Sequence, residues 1–131
     1  MDKKIHIQEL IQARNLASQD ECAKFENALS ALWGKLEADD LDDVLKAFSD
    51  ETADDELMFS LVHLVEQNDG DEYLRKIALL TPEMDGAREW AKMLNRRILN
   101  SGPHSEQYRK IIGTLGDSQK EKITALLDAL A

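Results

Sequence analysis

The sequence predicts an all-α fold: one domain spanning residues 1–131, a stack of seven or eight short antiparallel helices forming a bundle or a small solenoid-like array. Three observations carry this. Apolar residues recur at i, i+3 and i+4 along nearly the whole chain, and no stretch alternates as a strand would. The breaks between periodic stretches are short and rich in turn residues, which favours antiparallel neighbours. The chain is 43% hydrophobic and 32% charged with only 2 Pro and 6 Gly, a composition that folds rather than remaining disordered. No residue-level repeat of fixed period is visible.

Taken in order, Ile7, Leu10, Ile11 and Leu16 mark a first helix over residues 3–17. Ser18 and Glu21 have capping-box spacing and open a second, with Cys22, Phe25, Leu29, Leu32, Trp33 and Leu36 along one side. Asp39 or Asp40 caps a short third helix bearing Leu41, Val44, Leu45 and Phe48. Thr52 or Asp54 opens a fourth, whose Leu57, Met58, Leu61, Val62, Leu64 and Val65 cover a wide arc and place it near the centre of the fold.

After the turn Asn68-Asp69-Gly70-Asp71, a fifth helix carries Tyr73, Leu74, Ile77, Ala78 and Leu80. Thr81-Pro82 reads as N-cap and first-turn proline of a sixth helix over residues 83–99, with Ala87, Trp90, Ala91, Leu94 and Ile98 inward. Asn100-Ser101-Gly102-Pro103 ends it, and a seventh starts near Ser105 with Tyr108, Ile111, Ile112 and Leu115. Gly113 inside that helix should cost about 1 kcal/mol relative to Ala. Gly116-Asp117-Ser118 precedes a last helix with Ile123, Leu126, Leu127 and Leu130.

The charge is unevenly placed. The chain has 26 acids and 16 bases, for a net charge of -10. Residues 37–72 hold 14 of those acids and a single base, Lys46. That segment therefore carries more than the whole net charge. Helix N-termini favour carboxylates, but caps explain only a few of them. Mutual repulsion opposes folding, so the crowding has either a binding or a solubilising reason. Charge alone leaves open a face for a basic partner and a merely solvated surface. On the first reading the contact residues are Asp39, Asp40, Asp42, Asp43, Asp50, Glu51, Asp54, Asp55, Glu56, Asp69, Asp71 and Glu72. Such acidity argues against direct nucleic-acid binding, since phosphates are held by Lys and Arg.

The N-terminal Met1-Asp2-Lys3-Lys4 is followed by no apolar run, so it does not read as a secretory signal. No apolar stretch approaches the roughly 20 residues of a membrane span. One cysteine, Cys22, forms no internal disulfide and fits a reducing cytoplasm, where it is expected to be buried and inert. His63 and Glu66 lie one helical turn apart and could share a metal if another helix supplied ligands, but a packed histidine is the commoner outcome. The segment from Asn68 to Glu72 lacks the ligand spacing of a calcium loop. His6 and His104 have no partner pattern. No nucleophile elbow or phosphate-binding glycine loop is present, and Gly113-Thr114-Leu115-Gly116 is better explained as a helix end. No catalytic residue, metal or cofactor is therefore assigned, and the chain is not read as an enzyme. Arg88, Lys92, Arg96 and Arg97 read as a solvated helix face. Trp33 and Trp90 are read as buried; either would be a binding hot-spot candidate if exposed.

Two stretches carry a resemblance. In the first, an acidic turn (Ser49-Asp50-Glu51-Thr52-Ala53-Asp54-Asp55-Glu56) leads into Met58-Phe59-Ser60-Leu61-Val62-His63-Leu64-Val65-Glu66. The second runs Glu89-Trp90-Ala91-Lys92-Met93-Leu94-Asn95-Arg96-Arg97-Ile98-Leu99-Asn100. Together, with a compatible Tyr108-Arg109 neighbourhood, they resemble immunity protein family thirty of bacterial polymorphic-toxin systems, which include contact-dependent growth inhibition. The likeness covers roughly residues 40–112; the first 36 residues and the last helix match no motif. It implies a small cytoplasmic helical protein that binds one cognate toxin domain as a heterodimer and protects the producing cell. Toxins of this kind are often nucleases with basic clefts, which the acidic segment would suit. Two other readings stay open: a helical adaptor for another basic protein, and a metal-dependent enzyme centred on His63 and Glu66.

Overall fold

The computed structural model describes residues 2–130; Met1 and Ala131, the ends of the expected domain, lie outside them. The described residues form eight α-helices joined by short turns, with no strand among them. By their contacts they gather into two compact units, residues 1–68 and 69–131.

The first unit holds α1 (Lys3–Gln12), α2 (Gln19–Leu32), the short α3 (Leu41–Val44) and α4 (Asp55–Val65). Asp2 caps α1, its carboxylate accepting from the Lys4 amide at 3.0 Å. The helix stops at Gln12, five residues short of the predicted end. Leu16 nevertheless reaches the core, at 3% exposure, because the chain turns through a left-handed conformation there (φ +50°). A leucine rarely adopts that conformation, and its burial is what holds it there. The apolar spacing was thus met by a turn, not by helix. α1 and α2 run antiparallel: Lys24 Nζ donates to Gln12 Oε1 at one end, and Lys3 Nζ reaches the Lys35 carbonyl at the other.

Ser18 caps α2 as its spacing predicts, accepting from the Glu21 amide at 3.1 Å. The return bond from Glu21 goes one residue further back, to the Ala17 amide at 2.8 Å. The third helix is a composite: 3-10 turns at Ala38–Asp40 and Leu45–Ala47 flank α3. The run opens at Glu37; Asp40 is the cap position of α3 itself, as expected, but makes no forward cap bond, its carboxylate instead accepting from the Glu37 amide at 2.8 Å. Asp54 caps α4, accepting from the Leu57 amide at 3.0 Å. Met58, Leu61, Val62, Leu64 and Val65 of α4 are all buried, and α4 packs on α2. We expect Asp54→Ala to lower the unfolding free energy by about 1 kcal/mol, the usual worth of such a cap. A shifted urea midpoint with an unchanged slope checks it.

The second unit holds α5 (Asp71–Leu80), α6 (Arg88–Leu99), α7 (Gly102–Gly113) and α8 (Asp117–Asp128). Gly70 precedes α5 with φ +91°, a conformation that favours glycine. The sixth helix starts five residues later than predicted. Residues 81–87 instead form two 3-10 turns, Thr81–Glu83 and Asp85–Ala87, with the non-helical Met84 (ψ 68°) between them. Thr81 is not an N-cap: its hydroxyl donates back to the Ile77 carbonyl at 2.6 Å. α7 begins at Gly102, ahead of the predicted Ser105, with proline in its first turn, where a missing N–H is harmless. Gly113 is the last residue of α7, so it escapes most of the mid-helix penalty. Tyr108, Ile111, Ile112, Ile123 and Leu126 are buried as their spacing predicts.

The core of this unit contains a polar chain. Asn95, Thr81 and Tyr108 are each 0% exposed. The Tyr108 hydroxyl donates to Asn95 Oδ1. Asn95 Nδ2 donates to Thr81 Oγ1 at 3.0 Å and to the Ala91 carbonyl at 2.8 Å. With the Thr81–Ile77 bond, this links α5, the turn after it, α6 and α7. No buried side-chain nitrogen or oxygen among the described residues is left without a partner. Burial, with a smaller contribution from Tyr73, pushes the Tyr108 phenol well above its ordinary pKa, so it stays a donor.

Candidate partner-binding surface

Of the twelve acids singled out from sequence, nine lie in the first unit and Asp69, Asp71 and Glu72 in the second. Ten are exposed: Asp39, Asp42, Asp43, Asp50, Glu51, Asp55, Glu56, Asp69, Asp71 and Glu72. Asp40 and Asp54 are half-buried and serve the fold. Asp54 is the α4 cap, and Asp40 pairs with Lys3 at 2.8 Å besides holding the Glu37 amide. That hydrogen bond raises the Lys3 ammonium above its ordinary pKa.

Local periodicity explains the outward display. Leu41, Val44 and Leu45 point into the core, so Asp39, Asp42, Asp43 and Lys46 occupy the opposite side of the same short helical run. Asp43 and Lys46 form an exposed pair at 3.5 Å. Asp55 and Glu56 occupy the first turn of α4, as Asp71 and Glu72 do in α5, where the helix dipole favours them. Asp71 accepts a hydrogen bond from Gln107. First-turn positions in full-length helices thus account for four of the exposed acids; Asp42 and Asp43 hold that position only in the four-residue α3, and Asp50 and Glu51 lie outside any helix.

Trp90 is buried at 8% exposure, in agreement with its spacing. Trp33 is not: it stands 51% exposed in the turn after α2. The helix ends at Leu32, which swings Trp33 off the stripe that Phe25, Leu29 and Leu32 share. Leu36 lies beyond the helix for the same reason and is half-buried.

Cys22 is half-buried, not fully buried, and its thiol points to the Leu16 carbonyl at 3.8 Å. Partial desolvation, then the carboxylates of Asp54, Glu26 and Glu21, raise its pKa and so lower its thiolate fraction. His63 is exposed, its ring edge-on to Phe59 at 5.0 Å between centroids. Among the described residues no three His, Cys, Asp or Glu side chains converge where a cation could sit, so the metal reading of His63 and Glu66 finds no third ligand there. His6 meets Glu9 at 2.8 Å and His104 meets Ser101 at 3.0 Å, one helical turn away in each case. Arg88, Arg96 and Arg97 are exposed, and Lys92 pairs with Glu89 at 3.2 Å, a solvated face as read. Among the described residues no helix is long and apolar enough to cross a membrane.

Sequence reasoning missed Asn95 and Thr81 as core residues. The signal was present for Asn95, which lies four residues after Ala91 and three before Ile98, on the buried stripe of α6. A polar side chain in that register needs a buried partner.

Compared with known families, the chain matches the family model described as Immunity protein 30 over residues 12–108. The match begins well before the motifs recognised in the sequence and ends at Tyr108. No curated protein and no solved structure matches.

Proposed function

The chain belongs to the Immunity protein 30 family, and from that premise we propose that it neutralises a cognate toxin domain by covering a basic, nuclease-type cleft with its exposed carboxylates. Family membership implies an inhibitor rather than an enzyme, with a toxin as partner. The finer reading is supported chiefly by one observation. Five exposed acids, Asp39, Asp42, Asp43, Asp50 and Glu51, stand within thirteen residues, and only Asp42 and Asp43 lie in the first turn of an α-helix, the four-residue α3.

Carboxylates so placed stand in for substrate phosphates and occupy the path a nucleic acid would take. They also set the rate and choice of encounter more than the final affinity. The partner is then a single toxin domain bound one to one in the cytoplasm of the producing cell. The whole chain acts there as one immunity-type domain.

Co-expression tests the reading. The toxin domain encoded beside this gene should arrest growth alone and should cease to do so, and co-purify, when this chain is present. The association rate constant should fall about tenfold or more between low salt and about 0.5 M salt, because screening removes the steering. Growth arrest that persists, with no co-purification, overturns the proposal. Rescue with a salt-independent association rate overturns its electrostatic part.

A further inference from the structure

Two large apolar side chains stand exposed among the described residues, Ile5 at 58% and Trp33 at 51%. Scattered exposed apolar residues are ordinary, so exposure alone says little. What distinguishes Trp33 is its mounting. The Lys35 amide donates to the Leu32 carbonyl at 2.9 Å, closing the turn. The Gly34 amide, at a glycine with φ +75°, donates to Gln67 Oε1 beyond the end of α4 at 2.8 Å. Lys3 Nζ reaches the Lys35 carbonyl at 3.4 Å and is itself fixed on Asp40 at 2.8 Å. An exposed tryptophan therefore sits on a turn tied to α1, α2, α4 and the residue-40 region. The backbone that carries the indole is thus fixed before binding, and a preorganised mount is one way an anchor gains affinity.

The residues that follow it in the chain point to the partner's chemistry. Lys35 shares the turn, and then Glu37, Asp39, Asp42 and Asp43 follow, all exposed. Interface hot spots are enriched in tryptophan at the centre of a polar rim. An indole face also attracts guanidinium and ammonium groups. We propose that Trp33 is the apolar anchor of the toxin-binding surface, inserting into an apolar pocket on the toxin that is rimmed by lysine or arginine. The inference rests on the toxin-neutralising reading and names where that contact is centred. A second copy of this chain is a poor occupant, since it would bring the same carboxylates against each other.

The test uses the full chain and the toxin domain encoded beside its gene. Trp33→Ala should leave the helical circular dichroism and urea midpoint unchanged while weakening toxin binding about 30-fold or more, the scale of a hot spot. In the wild type, complex formation should shift tryptophan emission to the blue, and Trp33→Ala should abolish that shift, because Trp90 is already buried. Wild-type binding with Trp33→Ala equally tight and no emission shift overturns this inference alone. No wild-type complex at all overturns the toxin-neutralising reading and this one with it. A wild-type homodimer that Trp33→Ala converts to monomer assigns the surface to self-association and also overturns it.

Discussion

Asn95→Ala is expected to lower the unfolding free energy by about 3 kcal/mol, the sum of an orphaned buried hydrogen-bond partner and the cavity left behind. Asn95 both accepts from Tyr108 and donates to Thr81 and the Ala91 carbonyl. Its removal leaves a phenol hydroxyl with no acceptor in a site that water does not reach. Thr81 suffers less, since its hydroxyl still donates to Ile77. Tyr108→Phe is the milder cut at about 1–2 kcal/mol, orphaning only Asn95 Oδ1. The double variant Asn95→Ala with Tyr108→Phe removes both polar partners of that bond and should cost less than the two single changes together. Urea unfolding of the four proteins measures the coupling. Strict additivity would mean that the Tyr108–Asn95 bond contributes nothing to the fold.

This polar chain also shows why parts of the molecule were legible in the sequence and parts were not. Apolar spacing finds which residues face inward, and it found Phe25, Met58, Leu61, Ile77, Leu94 and Ile123 because burial depends on register. It does not find where a helix stops. Leu16 satisfies the inward spacing from a left-handed turn, and Ala87 satisfies it from a 3-10 turn; both are buried outside α-helix. Trp33 failed in the opposite sense: it continued the stripe on paper, but α2 had already ended at Leu32. Caps were readable where a side chain reaches two or three residues forward, as at Ser18 and Asp54. Asp40 holds the cap position of α3 too, but its bond runs backward to the Glu37 amide, which spacing does not reveal. The acidic segment was legible as a whole because charge density needs no fold. Its division into structural and displayed carboxylates was not, because it depends on which of them meet Lys3 or a helix N-terminus.

That division sharpens the second large effect. Reversing Asp39, Asp42 and Asp43 to lysine should slow association with the toxin domain by about 100-fold at low salt, within the range that steering supplies. The change replaces three displayed negative charges with three positive ones on one side of a short helix. It should cost the fold little, because all three side chains are exposed and exposed pairs such as Asp43–Lys46 contribute about 0–1 kcal/mol each. Asp40→Asn should behave in the reverse way. Asp40 is held by Lys3 and the Glu37 amide, so neutralising it should lower the urea midpoint and barely alter association. Stopped-flow mixing at two salt concentrations, with urea titration of each variant, separates the two classes. At high salt the triple variant and the wild type should converge in association rate, since screening hides the difference between them. If the triple variant associates as fast as the wild type at low salt, recognition does not run through this helix. The exposed acids at residues 50–56, the trio at 69–72, or Trp33 alone must then carry it.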